Sequence, residues 1–206
     1  MQLLRMKDLA RISAGHPFRG KIIESRGSGV VAVQMKDASV LDNVNWAECI
    51  ETEPTGHRND YLQIGDILVA ARGSHNYAVL IDATLTVIGK QAIAAPQFFI
   101  VRVAKNKILP EYLCWFLNQP PCQRYFNLNA EGTLTKAIKR SALDEMPIVV
   151  PSMARQHTIV GLTHTLQQEL RLIEQLRRNN EQMQAAIANQ LAADLLPKPV
   201  TAKQYR

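Results

Sequence analysis

The sequence predicts an α+β, or mixed α/β, fold in which a β-rich domain is followed by a long C-terminal helix of coiled-coil type. In residues 1–152, short runs of β-branched and aromatic residues alternate with turn-forming residues. From residue 153 onward, apolar residues recur every three or four positions instead. The predicted boundaries are therefore 1–152 for the β-rich domain, 153–196 for the helix and 197–206 for a flexible tail.

The β-rich domain opens with a short helical or extended segment at residues 3–13. The stretch GVVAVQM (29–35) is rich in β-branched residues and predicts a strand, and residues 64–82 predict a hairpin that turns at residues 73–76. LTVIG (85–89) and QFFIVRV (97–103) predict two further strands, which KQAIAAP (90–96) separates.

Helical signals then interrupt the strands. Pro110 suits a first helical turn, and the aromatic residues that follow it form one apolar face until Pro120-Pro121 ends the helix. We expect residues 122–130 to form another turn or two. Ser141 and Asp144 have the spacing of a capping box, and MPIVVP (146–151) predicts a strand that Pro151 stops.

The apolar stripe of the C-terminal helix has steps of three and four residues. We expect it to mediate dimerisation, because a helix of this length cannot bury its own stripe and the sequence offers no second long amphipathic helix. Asn180 occupies one position of the seam, where it would fix the register at some cost in stability. The candidate dimerisation residues are Ile159, Leu162, Leu166, Leu170, Ile173, Leu176, Asn180, Met183, Ile187 and Leu191.

Charge and cysteine usage narrow the class of protein. The formal net charge of +6 fits a nucleic-acid partner, although solubility alone also explains it. The three cysteines, Cys49, Cys114 and Cys122, are odd in number and far apart, which indicates buried thiols in a reducing compartment. Because no apolar stretch is long enough for a signal peptide or a membrane span, we expect a cytoplasmic protein.

Motifs for catalysis and cofactor binding are missing from the sequence. It has no glycine-rich dinucleotide loop, no phosphate loop and no nucleophile elbow, and its histidines are scattered, so we expect no catalytic residue, no metal and no cofactor. Asp60 and Asp66 could form a nuclease pair. However, Asp66 has the position of a turn residue before a strand, and no acid-x-lysine triplet follows it.

The cations concentrate in loops and not along helix faces. Lysine and arginine bind phosphates, and arginine, asparagine, glutamine and lysine also recognise base edges, so loops with these residues suit sequence recognition in DNA. The alternative is that each is a solvated surface charge. The candidate DNA-binding residues are Arg19, Lys21, Arg26, Lys36, Arg72, Ser74, His75, Asn76, Lys90, Gln91, Thr133, Lys136 and Lys139.

The order of these features resembles the DNA-specificity (S) subunits of type I restriction–modification systems. The pieces that carry the resemblance are LARISAGHPFRG, YLQIGDILVAARGS, APQFFIVRV with ILPEYLCWFLN, EGTLTKAIKRSALDEMPIVVPSMARQHTIV and the helical tail. The resemblance implies a target-recognition domain that reads one half of a split DNA site, and a helix that spaces it from a second domain. It also implies a subunit without chemistry of its own, which recruits methyltransferase (M) and possibly restriction/translocase (R) subunits for phage defence.

Two features depart from the family pattern. Members usually hold two recognition domains and two long helices, whereas this chain holds one of each, and Arg155 stands where a glutamate commonly precedes the glutamine. The resemblance therefore implies a half-subunit that homodimerises through its helix and recognises two inverted, identical half-sites on double-stranded DNA. Two other hypotheses remain: a protein-binding adaptor in a phage-defence complex without direct base readout, and a stand-alone nuclease.

Overall fold

The computed structural model describes residues 1–54, 60–73, 75–104, 107–132 and 136–195. The chain divides into two compact units, Met1–Thr163 and His164–Arg206. The strands are β1 (Gln2–Arg5), β2 (Ala10–Ala14), β3 (Val30–Val33), β4 (Ala38–Ser39), β5 (Asn43–Val44), β6 (Ile50–Glu51), β7 (Asp66–Ala70), β8 (Arg72–Gly73), β9 (Ala78–Leu80), β10 (Gln91–Ala94), β11 (Phe98–Val103), β12 (Lys136–Ala137) and β13 (Pro147–Val150). The helices are α1 (Met6–Leu9), α2 (Thr84–Val87), α3 (Pro110–Leu117), α4 (Pro120–Asn129), α5 (Arg140–Asp144) and α6 (Met153–Leu195), and Met35–Asp37 forms a 3₁₀ turn.

The central sheet of the first unit has the strand order β2-β11-β7-β9. Its pairs are antiparallel, and β7 and β9 form the predicted hairpin, with Ile67 opposite Leu80. Alternating residues of these strands contribute to two apolar clusters, one on each face of the sheet, so that Ile67 and Val69 lie in one cluster and Leu68 and Ala70 in the other. The sheet is therefore buried on both faces, which explains the continuous apolar runs in its sequence.

A second sheet has the strand order β10-β3-β6. Strands β3 and β10 are parallel, with Val30 opposite Gln91 and Val33 opposite Ala94. Gly15 joins the two sheets, because its N–H donates to Phe98 while the next N–H, of His16, donates to Ala94. A Cβ atom at Gly15 would lie 2.2 Å from the carbonyl oxygen of Ala95, so only glycine fits this crossing.

The first and last strands of the unit pair with each other. Strand β1 runs antiparallel to β13, and the N–H of Met6 donates to the carbonyl of Met146 at 2.9 Å. The helices α3 and α4 cover one face of the central sheet, where Tyr112, Leu117 and Phe126 are buried. The mixed α+β domain followed by a long helix confirms the predicted fold class.

Several local predictions were wrong. LTVIG forms helix α2, because Asp82 accepts the N–H of Thr84 at 2.9 Å and starts a helical turn there. The QAIA segment, predicted as a separator, is strand β10. In contrast, the predicted end of the preceding helix at Pro120-Pro121 is confirmed, because α3 ends at Leu117 and Pro120 begins helix α4, where proline is tolerated in a first turn. Ser141 caps no helix, because α5 already starts at Arg140.

Helix α6 continues from Met153 to Leu195, about 65 Å at 1.5 Å per residue. Ion pairs between side chains one turn apart stabilise the helix within His164–Arg206. Arg177 pairs with Glu174 and Glu181, three and four positions away. In the part of the chain that the structure describes, no helix combines the length and apolar character that crossing a bilayer requires.

Candidate nucleic-acid interface

Two loops that are distant in sequence pack together around Tyr77. The Tyr77 hydroxyl donates to the carbonyl oxygens of Met35 and Ala38, at 3.2 and 3.4 Å. Gly73 has φ +149°, and a Cβ atom there would lie 2.8 Å from the Met35 methyl carbon. The hairpin turn after β8 is therefore held directly against the 3₁₀ turn that contains Lys36.

A third segment joins the same place through β12. Lys136 pairs with Gly73 and Ala137 with Arg72, and the N–H of Ile138 donates to Ala71 at 2.9 Å. Segments 35–37, 72–73 and 136–140, each predicted to bind DNA, thus converge. We call these three segments the Arg72 cluster.

The charges of the Arg72 cluster differ in how strongly they are compensated. Arg72 is exposed and forms no ion pair with any residue that the structure describes. The Lys36 side chain is 60% exposed, and its ammonium lies 3.5 Å from Asp37 Oδ1. Lys139 pairs with Glu131 at 2.7 Å, and both are exposed, so water weakens that pair. Arg72 and Lys36 are therefore the cations most available to an external anion.

Other predicted cations gather around Glu51. Its carboxylate accepts the N–H of Gly27 and pairs with the Lys90 ammonium, while Arg26 pairs with Glu24 at 2.8 Å. The N–H of Gln91 donates to Gly29 at 3.0 Å, which closes the same loop. We call residues 24–29, 51 and 90–91 the Glu51 cluster. Arg19 and Lys21 are exposed in the loop that precedes it.

The two clusters lie at opposite ends of the β10-β3-β6 sheet. Residues 29 and 90 precede the parallel strands β3 and β10, whereas Met35 follows β3. Since each strand has four residues, the clusters are separated by at least about 13 Å along the strand direction. The structure thus distributes the predicted DNA-binding residues over two places.

The remaining predicted residues have mixed positions. Ser74 and Thr133 lie outside the described residues, and Lys136 is described by its backbone alone. His75 is exposed, with its ring centroid 5.6 Å from that of Tyr77. Asn76 is buried, and its Nδ2 donates to the carbonyl of Ala70 at 2.7 Å, which fixes the hairpin turn.

Asp66, the candidate nuclease residue, has a structural environment. Its carboxylate accepts hydrogen bonds from the Nε and Nη2 atoms of Arg102, both at 2.7 Å, and from the N–H of Gln63. This bidentate bond raises the pKa of Arg102 and engages both oxygens of Asp66. Among the described residues, no group of three or more histidines, cysteines and acids could hold a metal.

The cysteines are free thiols. Cys114 and Cys122 are buried as predicted, and Cys49 is partly buried. Burial raises the pKa of each thiol to about 12, and at Cys49 the negative charge of Asp37 adds to this effect. These thiols therefore stay protonated near neutral pH.

Asp37 is the residue that sequence reasoning missed. It is buried, its Oδ2 accepts the N–H of Gln34 at 2.9 Å, and it lines an open cleft of about 400 Å³ next to the Arg72 cluster. The only signal in the sequence was its place directly after Lys36 and three residues after Gln34, a spacing that suits a capped turn.

The helical stripe is exposed over most of its length. Leu162 and Leu176 are each 62% exposed, and Asn180 is exposed as well. Ile159 differs, because it packs on the core of the first unit. The exposed apolar members are Leu162, Leu166, Leu170, Ile173, Leu176, Met183, Ile187 and Leu191.

Comparison with known proteins places these features in context. Residues 1–181 match a family model described as "Type I restriction modification DNA specificity domain". A search of curated proteins found no match.

Solved structures with a similar fold include a type I restriction-modification S subunit from M. genitalium, with 15% identity and a TM-score of 0.60, covering 93% of this chain and 46% of that one. The HsdS subunit from Thermoanaerobacter tengcongensis has 15% identity and a TM-score of 0.59, covering 97% of this chain and 50% of that one. A third structure concerns complex assembly and conformational transition of the type I R-M system. It has 15% identity and a TM-score of 0.66, covering 98% of this chain and 51% of that one. The chain spans about half the length of these structures.

Proposed function

The chain belongs to the family of type I restriction modification DNA specificity domains, and from this premise we propose that residues 1–152 read one half of a split DNA site through the Arg72 cluster. The observation that carries the proposal is the convergence of three separate basic segments around Tyr77 and β8. The description of the family names DNA specificity and no reaction, and we propose no catalytic role for the chain.

Within the Arg72 cluster, the cations serve two tasks. Lys36 and the lysines near β12 bind backbone phosphates, which positions the domain on the duplex without selecting a sequence. Arg72 is the first residue of the two-residue strand β8, close to the hairpin turn, and its planar guanidinium suits a bidentate contact with guanine. Gly73 and Gly132 have positive φ angles, which let the backbone turn tightly beside these side chains.

The Glu51 cluster has a secondary role in this proposal. Its cations Arg26 and Lys90 lie next to the carboxylates of Glu24 and Glu51, whose negative charges offset the attraction of this cluster for a phosphate. We expect them to contribute little to affinity and to hold the shape of loop 24–29 instead.

Helix α6 brings in a second recognition domain by pairing with a second copy of the chain. We assign its exposed stripe to an antiparallel pairing with the same helix of a second copy, because eight apolar residues of one face are exposed among the described residues. A two-fold pair would present two recognition domains to inverted half-sites. The assembled specificity unit would then recruit methyltransferase and restriction/translocase subunits in the cytoplasm.

Selection from random duplexes tests the recognition function. The full chain should enrich an inverted, interrupted motif, and its affinity should fall steeply between 50 and 200 mM salt, because phosphate contacts release counterions. An adaptor without base readout would enrich no sequence, and this outcome would refute the proposal.

The solution mass tests the pairing. The wild-type chain should form dimers, and the double substitution Leu166→Asp with Leu170→Asp should yield monomers, since two carboxylates cannot be buried in the seam. The matched control is Gln167→Asp with Gln168→Asp, which adds the same charge beside the stripe. A wild-type monomer in the presence of the selected DNA would remove the dimer from the proposal.

A further inference from the structure

The cleft beside Lys36 has a rigid wall. Asn43 adopts φ +58°, a left-handed conformation that is uncommon outside glycine, and its Nδ2 donates to Asp82 at 2.9 Å. The indole N–H of Trp46 donates to Thr84 at 2.8 Å, and the N–H of Asn45 donates to the carbonyl of Asp37 at 2.7 Å. These bonds fix the side of the cleft that faces Asp37.

On the side of the cleft that faces this wall, one oxygen of Asp37 lacks a hydrogen bond. The side chain of Asp37 is fully buried, and its Oδ2 is engaged by Gln34, but Oδ1 has no hydrogen-bond donor among the described residues. The Lys36 ammonium compensates the charge from 3.5 Å, which is too long for a directed bond. A buried carboxylate oxygen without a donor is costly, so a native structure keeps one only for a reason.

The position of this oxygen ties it to DNA. The Tyr77 hydroxyl bonds to Met35 and Ala38, the residues that flank Lys36 and Asp37, and so anchors this turn to the hairpin of Arg72. The Lys36 side chain is 60% exposed and can turn to a phosphate, but Asp37 is buried, so its charge then needs another donor. Asp37 Oδ1 is buried in this structure, so recognition of a base requires that the movement of Lys36 opens this oxygen to the DNA.

We infer that Asp37 Oδ1 is a specificity-determining acceptor, which takes a hydrogen bond from the exocyclic amino group of a cytosine or an adenine in the half-site. Carboxylates accept from cytosine N4, and the adenine N6 group is a donor of the same kind. Lys36 exchanges from Asp37 to the DNA backbone as the base amino group arrives, so the carboxylate keeps a compensating donor. This inference rests on the proposed DNA recognition.

Asp37→Asn gives a sharp test, because the Gln34 N–H decides the orientation of the new amide. The carbonyl oxygen of the asparagine must face Gln34, so the NH₂ group takes the place of Oδ1 and turns an acceptor into a donor. Selected sequences should change at one position per half-site, from cytosine or adenine to guanine or thymine, which present a carbonyl acceptor in place of the amino group. Asp8→Asn is the matched control: Asp8 makes the same kind of cap, to the N–H of Arg5, but is exposed and outside both clusters. It should leave the selected sequence unchanged.

Modified duplexes provide a second measurement. The selected cytosines and adenines are replaced one at a time by 2-pyrimidinone and purine nucleotides, which lack the amino group. Wild type should lose roughly 10-fold or more in affinity at one position, as for a lost hydrogen bond to a charged group, and Asp37→Asn should lose none there. The amino-group ratio is the affinity for the intact duplex divided by the affinity for the duplex that lacks the amino group. Lys36→Met should enlarge this ratio relative to wild type, because the Lys36 ammonium then no longer compensates Asp37 when the amino group is missing.

The outcomes separate the two proposals. If wild type selects no sequence, DNA recognition itself is refuted and this inference falls with it. If wild type selects a motif that Asp37→Asn also selects unchanged, only the role of Asp37 is refuted. Should Asp37→Asn fail to fold, an unchanged amino-group ratio in Lys36→Met would overturn the inference.

Discussion

The side-chain oxygen of Gln156 accepts a hydrogen bond from the backbone N–H of Leu109 at 2.8 Å. The nitrogen of the same side-chain amide, Nε2, donates to the carbonyl of Pro151 at 3.0 Å, and Gln156 is fully buried. One side chain thus joins the end of β13, the beginning of α3 and the first turn of α6. It satisfies backbone groups that helix ends and prolines leave without partners.

Replacing this glutamine should cost stability. Gln156→Ala removes both hydrogen bonds and leaves a buried N–H and a carbonyl without partners, so the free energy of unfolding should fall by about 2–4 kcal/mol. Denaturant titration measures it. Gln168→Ala, an exposed glutamine of the same helix, should change it by less than about 0.5 kcal/mol. Equal effects of both variants would show that the Gln156 bonds contribute nothing.

Two glycines should respond in opposite directions to alanine. Gly15→Ala places a methyl group against the Ala95 carbonyl in a rigid strand crossing, and should destabilise the chain by about 3 kcal/mol or more. Gly161 lies in α6 with open space around its missing Cβ, so Gly161→Ala should stabilise by about 0.5–1 kcal/mol. Thermal melting of both variants checks the pair, and a tolerated Gly15→Ala would contradict the close approach of the two sheets.

Alkaline pH should weaken the fold through its buried thiols. Burial raises the pKa of Cys114 and Cys122 from 9.0 to about 12, so the folded chain holds protons that the unfolded chain releases above pH 9. Stability is therefore unaffected by these groups below pH 9 and falls as pH rises from 9 towards 12. At pH 10 the loss is about 1.4 kcal/mol per thiol.

The double variant Cys114→Ala with Cys122→Ala isolates this effect. Its unfolding free energy is lower than that of wild type at neutral pH because of lost packing, but it should decline less between pH 7.5 and 10. Tyr77, whose pKa is raised by burial, contributes equally to both proteins and cancels in the comparison. The pKa of Tyr112 is raised by burial and by Cys122, so the change at Tyr112 adds to the expected difference. Identical declines would mean that the thiols titrate as they do in the unfolded chain.

The Arg72 and Glu51 clusters should differ in DNA binding. Arg72→Ala should lower the affinity by about 1 kcal/mol or more, because the lost cation has no ion pair among the described residues. Arg26→Ala should change it by less than about 0.5 kcal/mol, since Arg26 is already paired with Glu24. Titration of the selected duplex by fluorescence anisotropy measures both, and a larger effect of Arg26 would move the interface to the other end of the sheet.

Long, strongly patterned elements of this fold were predictable from the sequence. The hairpin of β7 and β9, strand β11 and helix α6 follow from periodicity and from turn residues alone. Helix α2 was not, because Leu85, Val87 and Ile88 favour a strand locally, and the Asp82 side chain that starts the helix is itself oriented by Asn43, far away in sequence.

The candidate site was predictable only as a set of residue types. Basic loops are visible in the sequence, but ion pairs such as Lys90 with Glu51 depend on tertiary structure and decide which cations remain available. The same holds for Asn76, a polar turn residue that the fold buries for a bond to Ala70. Asp37 was hidden for the converse reason, because an acidic residue beside a lysine gives no sign that it will be buried with an oxygen left over.

The pairing of β1 with β13 sets an order on folding during synthesis. Gln2 lies opposite Val150, so β1 is synthesised long before β13, the strand with which it pairs in the part of the chain that the structure describes. Contacts of such long sequence separation are slow to form, and until then the edge of β1 is open to other chains. We expect the nascent domain to depend on chaperones until β13 emerges. Helix α6 follows β13 directly, so its first turn is attached to a folded domain only after β13 has paired with β1.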